Sequence, residues 1–221
     1  MVVAAGSGTR LGRGPKALLT IGGRPLVAVA VEQALSSPSI AGVVVVAPPG
    51  FEARVREALA PIAGSSVVVT GGETRQLSVS AGLKAVDVDA DVVVVHDAAR
   101  PFASANLFTA VVDAVVAGAD AAVPVLPLVD TVKHVRDGSI VGTEPRDGLA
   151  LAQTPQACRL QLLRDALAKA EESGLDLTDD AGLLEWAGAT VRTVPGEPEN
   201  FKITTALDLV RADQILGAGR E

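Results

Sequence analysis

Two runs of four consecutive valines, Val43 to Val46 and Val92 to Val95, most sharply limit what this chain of 221 residues can become. A segment that is apolar at every position suits a strand covered on both faces, and such strands belong to parallel sheets with helices above and below. Residues 2–4, 66–70 and 121–125 read the same way. Helical patterns lie between them. Pro25 opens one that carries Leu26, Val29, Ala30 and Ala34 on one stripe. Residues 51–60 and 74–86 hold two more, and Ser104 can cap a fourth with Leu107, Val111, Ala114 and Val115 at helical spacing. This alternation predicts an α/β fold with a doubly wound, mostly parallel, Rossmann-like sheet that receives ligands at the carboxyl ends of its strands.

The rhythm breaks after Pro127. Residues 130–136 and 139–144 flank Asp137-Gly138, the sequence of a type I′ hairpin turn. One face of the first strand carries Thr131, Lys133 and Val135, the other Val132, His134 and Arg136, and neither is apolar enough to be buried. The expectation is a projecting β-hairpin over about residues 127–147. Two strands alone are marginal in water, so the hairpin is read as a homodimerisation arm. Beyond it, Thr154-Pro155-Gln156 reads as a loop and residues 160–173 as a helix ended by Gly174. Thr178 is the expected cap of a helix reaching Ala187, with Asp179 and Asp180 as acids in its first turn and, as the alternative, at the border of the substrate pocket. Residues 189–194 are strand-like, and Thr204 or Thr205 caps a last helix. The whole, residues 1–221, reads as a single domain with one arm.

Charge and cysteine content exclude several classes. A net charge of −7 and a pI near 4.9 argue against a broad nucleic-acid surface but leave room for one phosphorylated metabolite. The single cysteine, Cys158, excludes an internal disulfide and a cysteine metal cluster, and is expected to pack. No apolar run reaches membrane length and the start lacks a signal-peptide layout, so the expected setting is cytoplasmic, with no membrane partner. Trp186 is expected to pack a helix on the sheet, and His134 to be exposed on the arm.

The chemistry concentrates after the first strand. Gly6-Ser7-Gly8-Thr9-Arg10-Leu11-Gly12-Arg13-Gly14-Pro15-Lys16 holds four glycines, two arginines and a lysine, with no acid. Amide groups of such a loop can converge on one anion, and the cations add positive potential, so the natural guest is a polyphosphate. Pro15 between Gly14 and Lys16 excludes the P-loop pattern, and Leu11 replaces the third glycine of the dinucleotide fingerprint. The ribose-binding acid of that fold is also missing after Val46-Ala47-Pro48-Pro49-Gly50. At the end of another strand, Gly71 and Gly72 permit close approach to a flat base, and Ser78 can offer a hydroxyl to base or ribose. The same stretch also reads as an ordinary turn with Thr74 as helix cap. Asp97, in His96-Asp97-Ala98-Ala99-Arg100-Pro101, ends a strand where a nucleotide enzyme would hold Mg²⁺. Pairing of Asp97 with Arg100, or capping of a turn, is the alternative.

Ala4-Ala5-Gly6-Ser7-Gly8-Thr9-Arg10 followed by Pro15-Lys16 resembles the nucleotidyltransferase signature. Four further stretches follow in order: the glycine pair with Arg75 and Ser78, Val95 to Pro101, Asp130-Thr131-Val132-Lys133 with Thr154-Pro155-Gln156, and Phe201-Lys202-Ile203-Thr204. Together they make nearly the whole chain similar to the 2-C-methyl-D-erythritol 4-phosphate cytidylyltransferases of the non-mevalonate isoprenoid pathway. The resemblance implies transfer of CMP from CTP to the polyol phosphate, with release of pyrophosphate. It assigns catalysis to Arg10, Lys16 and Lys202. Ala4, Ala5, Gly6, Ser7, Gly8, Gly72, Ser78 and Asp97 would hold the nucleotide, with Asp97 also serving Mg²⁺. Arg100, Thr131, Arg146 and Lys202 would hold methylerythritol phosphate, the arm carrying Thr131 and Arg146 into the neighbouring subunit's site. The chain departs from the family pattern in opening directly in the first strand, in having Val3 where a proline often stands, and in a compact spacing from Arg10 to Lys16.

The residues agree with such a reaction. A phosphate monoester has a second pKa of about 6 and is already nucleophilic at neutral pH, so no side-chain base is needed. That fits a chain with 2 histidines and no evident nucleophile–base pair. The need is for cations that bring two anions together. Other readings stay open at this level. A ribitol 5-phosphate or related polyol-phosphate cytidylyltransferase would differ around Arg100, Thr131, Arg146 and Lys202. A non-catalytic nucleotide sensor would use the same pocket, and a dehydrogenase is disfavoured by the missing fingerprint.

Overall fold

The computed structural model describes residues 1–6, 14–62, 64 and 66–218. Arg10, Ser7 and Gly8 lie outside the described residues.

The valine runs form the centre of the sheet. Strands β1 (Val2–Val3), β4 (Val43–Ala47), β5 (Ser66–Thr70) and β6 (Val92–Asp97) pair in parallel in the order β6-β1-β4-β5. The chain winds from β1 outward to β4 and β5, then returns to place β6 on the other side of β1. The strand order therefore reverses between β1 and β6, and the carboxyl ends at such a point are where doubly wound sheets bind ligands. Beyond β6 the sheet continues through β11 (Gln156–Arg159), β7 (Ala121–Pro127) and β10 (Ala150–Ala152), with β12 (Val191–Pro195) parallel to β7. Strands β10 and β11 run antiparallel to their neighbours.

Both sheet faces are covered at the centre, as uninterrupted valine requires; β5, expected to be covered on both faces too, is instead an edge strand with Val67 49% exposed. Val43, Val45 and Val94 face α1 (Leu26–Leu35), α2 (Glu52–Leu59) and α4 (Ala105–Val116). Val46, Val93 and Val95 face α3 (Arg75–Leu83), α5 (Leu160–Glu172) and α6 (Asp180–Trp186). Gly82 lets α3 lie on the sheet: a Cβ there would sit 2.7 Å from Val46 Cγ2. A last helix, α7 (Ala206–Ala218), closes a small cluster with Ile21, Leu26 and Ile203. Beside it β2 (Thr20–Ile21) and β3 (Arg24–Pro25) form a short antiparallel pair.

Local signals set the boundaries. Thr74 and Ser104 accept the N–H groups of Leu77 and Leu107 as helix caps. Thr205 accepts from Asp208, which selects it over Thr204. Thr178 is not the cap of α6: Asp179 takes that place, accepting from Gly182 N–H at 3.0 Å. Trp186 does not pack its helix on the sheet. It is 38% exposed, with Lys169 Nζ 5.0 Å from its ring. Cys158 is buried in the core, and burial pushes its thiol well above the ordinary range. The Thr154-Pro155-Gln156 loop is a tight one, with a cis Thr154–Pro155 bond and with Gln156 already in β11.

The hairpin is present as β8 (Val132–Arg136) and β9 (Ser139–Glu144), a separate two-stranded sheet. Asp137 and Gly138 take φ values of 50° and 77°, the pair of positive angles a type I′ turn needs. Val135, Ile140 and Val141 stand exposed on it, and His134 pairs with Glu144 at 2.8 Å. Among the described helices, none is long and apolar enough to cross a membrane.

Candidate active site

The carboxyl ends of β1, β5 and β6 surround a cavity of about 270 Å³. Ala4, Ala5 and Gly6 enter it from β1, Gly72 and Ser78 from the turn and helix after β5, and Asp97 from the last position of β6. Lys16, on a 3₁₀ turn over Lys16–Leu18, and Lys202, on the segment before α7, complete the wall. Residues scattered over some 200 positions of sequence thus meet at the reversal point of the sheet. Arg100, Thr131 and Arg146 do not line this cavity. Arg146 lies past the hairpin, and its guanidinium donates to the Val129 carbonyl.

Asp97 is the electrostatic centre. It is not paired with Arg100; its two oxygens meet Arg75 Nε at 3.4 Å and Lys202 Nζ at 2.7 Å. Burial alone would raise its pKa, but the charges of Arg75 and Lys202 outweigh that and hold the carboxyl well below the usual range. Asp97 is therefore an anion at any physiological pH. Arg75 also binds Asp180 at 2.6 Å, so one guanidinium bridges two carboxylates. Asp180 is buried at the start of α6, and desolvation raises it despite Arg75.

The glycine turn is built by the protein before any ligand enters. A Cβ on Gly71 would lie 2.4 Å from Ala5 Cβ, and one on Gly72 would lie 2.5 Å from Leu77 Cβ. These glycines are required by neighbouring protein atoms, whichever base approaches. Ser78 Oγ accepts the Gly72 N–H at 3.1 Å and donates to the Thr74 carbonyl at 2.9 Å. Its hydroxyl thus shapes the turn while Ser78 also lines the cavity, so the turn reading and the binding reading of this stretch are compatible.

Behind Asp97 lies a buried polar chain. His96 Nε2 faces the Arg100 carbonyl at 2.9 Å, Thr154 Oγ1 lies 3.0 Å from His96 Nδ1, and the same oxygen accepts Asp97 N–H at 3.0 Å. Arg100 donates to the carbonyls of Asn200 at 2.8 Å and Ala152 at 3.3 Å. Burial lowers its pKa somewhat against the pull of Asp97, and the guanidinium stays charged. Sequence reasoning reads Asp180 as a first-turn acid, not as a partner of Arg75, and gives no role to Gln153 or Asn200. The signal for Arg75 was present, since it precedes Ser78 by one helical turn.

Comparison with known proteins agrees with this geometry. The family model described as 2-C-methyl-D-erythritol 4-phosphate cytidylyltransferase matches residues 1–218. A protein of that name from Frankia casuarinae is 47% identical over 219 residues, covering 98% of this chain and 80% of its own. Another from Streptomyces avermitilis is 44% identical over 233 residues, covering 100% and 92%. The crystal structure of the Thermus thermophilus enzyme of that name superposes with a TM-score of 0.82 at 37% identity, covering 97% of this chain and 96% of that one. On the full-length match and the level of identity, this chain belongs to the 2-C-methyl-D-erythritol 4-phosphate cytidylyltransferase family.

Proposed function

We propose that the cavity at the ends of β1, β5 and β6 is where this chain performs the family's reaction, with Arg10, Lys16 and Lys202 as the catalytic cations. As a family member the chain transfers CMP from CTP to 2-C-methyl-D-erythritol 4-phosphate in isoprenoid precursor biosynthesis. The products are 4-diphosphocytidyl-2-C-methyl-D-erythritol and pyrophosphate. An oxygen of the polyol's phosphate forms a bond to the α-phosphorus of CTP, and the bond from that phosphorus to the bridging oxygen of pyrophosphate breaks. The electron pair leaves with pyrophosphate, and no side chain has to take up a proton.

The observation that carries this reading is the convergence of Lys16, Lys202 and Asp97 on one cavity with the backbone of Ala4 to Gly6. The backbone groups and the Gly72 turn bind the nucleotide. Lys16, with Arg10 from the same loop, neutralises charge on the triphosphate. Lys202, held at 2.7 Å from Asp97 on the same cavity, meets the incoming phosphate. Preorganised cations of this kind stabilise charge that builds at the phosphorus without reorganising as it does so.

Mg²⁺ fits the site in a limited way. Among the described residues no group of three or more ligating side chains stands together, so the ion would be held by Asp97 and by the oxygens of CTP. Asp97 is a hard oxygen ligand already in its charged form. When bound, Mg²⁺ supplies charge neutralisation at the phosphates.

The exposed hairpin supports an arm over about residues 127–147 on an otherwise single domain. Thr131 and Arg146 lie on the arm, away from the cavity wall, which favours their acting in the site of a second copy. With Arg100 they complete the binding of methylerythritol phosphate, and the enzyme works as a cytoplasmic homodimer with no nucleic-acid or membrane partner. Lys16→Ala and Lys202→Ala test the assignment. Each should lower turnover by about a hundredfold or more while the melting temperature stays near that of the wild type. Near-normal turnover in either would remove that lysine from the mechanism.

A further inference from the structure

Two segments far apart in sequence carry the cations assigned above to the polyol phosphate. Arg100 sits in the turn after β6, and Lys202 lies between β12 and α7. Asn200 joins them. It is fully buried, two residues before Lys202. Its carbonyl accepts from Arg100 Nη1 at 2.8 Å and from Gln153 Nε2 at 3.2 Å. Its side-chain Nδ2 donates to the Thr154 carbonyl at 2.8 Å and to Gln153 Oε1 at 3.3 Å. Gln153, itself buried, also accepts from Glu197 N–H and donates to the Glu197 carbonyl, at 3.0 and 2.9 Å. The segment has little room to shift: Gly196 is so close that a Cβ would lie 2.7 Å from Gln153 Oε1.

A second observation sets this pair apart. Among the described residues, two buried side-chain polar atoms have no hydrogen-bond partner, Arg100 Nε and Asn200 Oδ1. Buried polar groups are nearly always satisfied, so an unpartnered pair calls for an explanation, ordered water or a functional constraint among them. Both exceptions fall on the two residues that meet here.

We propose that Asn200 is a positioning residue for the phosphorylated polyol: it locks the Arg100 guanidinium to the segment that carries Lys202, so that both cations meet one phosphomonoester dianion. Gln153 supports Asn200 in that role. The nucleotide side is built from β1, the Gly72 turn, α3 and Asp97, and none of the Asn200 hydrogen bonds reaches those groups directly; Thr154, which Asn200 holds, touches Asp97 by accepting its backbone N–H. The defect of an Asn200 variant is therefore selective for the second substrate. The proposal rests on Arg100 and Lys202 being that substrate's anchors.

The test is steady-state pyrophosphate release by Asn200→Ala and Gln153→Ala beside Arg100→Ala and Lys202→Ala, each checked for folding by thermal melting and for CTP binding by calorimetry. The expected result for Asn200→Ala is a rise of about tenfold or more in KM for methylerythritol phosphate, with KM for CTP within about twofold of wild type. Adding Asn200→Ala to Arg100→Ala should cost less than the two single effects combined, because Asn200→Ala acts by freeing the segment whose carbonyl holds Arg100. Selective defects in Arg100→Ala and Lys202→Ala without one in Asn200→Ala would overturn the positioning role. So would an equal rise in both KM values. No selective defect in Arg100→Ala and Lys202→Ala would instead overturn the assignment of the anchors. If Asn200→Ala fails to fold, Gln153→Ala decides by the same criteria.

Discussion

His96 gives a pH dependence that follows from its hydrogen bonds and its burial. The Arg100 carbonyl can only accept, so His96 Nε2 carries the ring proton. Nδ1 then accepts from the Thr154 hydroxyl, whose oxygen is in turn taken by Asp97 N–H. The imidazole is neutral in this arrangement. Burial lowers its pKa from 6.5 to about 4, against the opposing pull of Asp97. The unfolded chain takes up a proton near 6.5, while the folded one does not until about 4. Stability therefore rises with pH across that window and is lost on acidification. At about 1.4 kcal/mol per unit the loss comes to roughly 3 kcal/mol by pH 4. Asp180, raised by desolvation, contributes with the opposite sign, because the folded state binds its proton first. Asp97 is held low and adds no slope until the pH reaches the ordinary carboxylate range. Urea unfolding of the wild type and of His96→Gln at pH 7, 6 and 5 separates the imidazole from these carboxylates. The wild type should lose about 1 kcal/mol per unit more than the variant below about pH 6. Equal slopes, or an NMR titration of His96 with a midpoint near 6.5, would refute the neutral buried imidazole.

Other consequences follow from the same contacts. Gly71→Ala puts a Cβ 2.4 Å from Ala5 Cβ. It should lower stability by about 1–3 kcal/mol and weaken CTP binding, read by chemical unfolding and calorimetry. If the arm acts across a dimer, mixing inactive Lys16→Ala and Arg146→Ala subunits creates mixed dimers with one intact site. Equal mixing should then recover about a quarter of wild-type activity, and no recovery would place the arm in its own subunit's site.

The sheet was legible because its strands announce themselves. Valine at every position predicted burial on both faces, and the bounds of β4 and β5 fall where the residues suggested. The hairpin was legible through Asp137-Gly138, whose positive φ values need that dipeptide. Strands β10 and β11 were not. Ala150–Ala152 and Gln156–Arg159 are too short for a period, and long-range pairing with β7 and β6 makes them strands. At the site, Lys16, Asp97, Gly72 and Lys202 were legible because each sits in a dense local motif. Asp180 was read as an ordinary first-turn acid, since nothing nearby in sequence reveals that Arg75, 105 positions away, will bind it. Gln153 and Asn200 carry no local pattern, and their meaning appears with their partners. Trp186 was misread because a large aromatic on a helix is usually covered, whereas here the end of α6 leaves it beside Lys169.

The central claim is that one cavity brings the α-phosphorus of CTP to the phosphate of a branched polyol without a side-chain base. Pyrophosphate release with CTP and Mg²⁺ tests it most directly, comparing methylerythritol 4-phosphate with ribitol 5-phosphate. Rapid release is expected with the first and little with the second. Lys16→Ala should lower that release about a hundredfold or more while CTP-independent folding measures stay unchanged. Release with ribitol 5-phosphate alone, or no release with either despite measurable CTP binding, would contradict the claim.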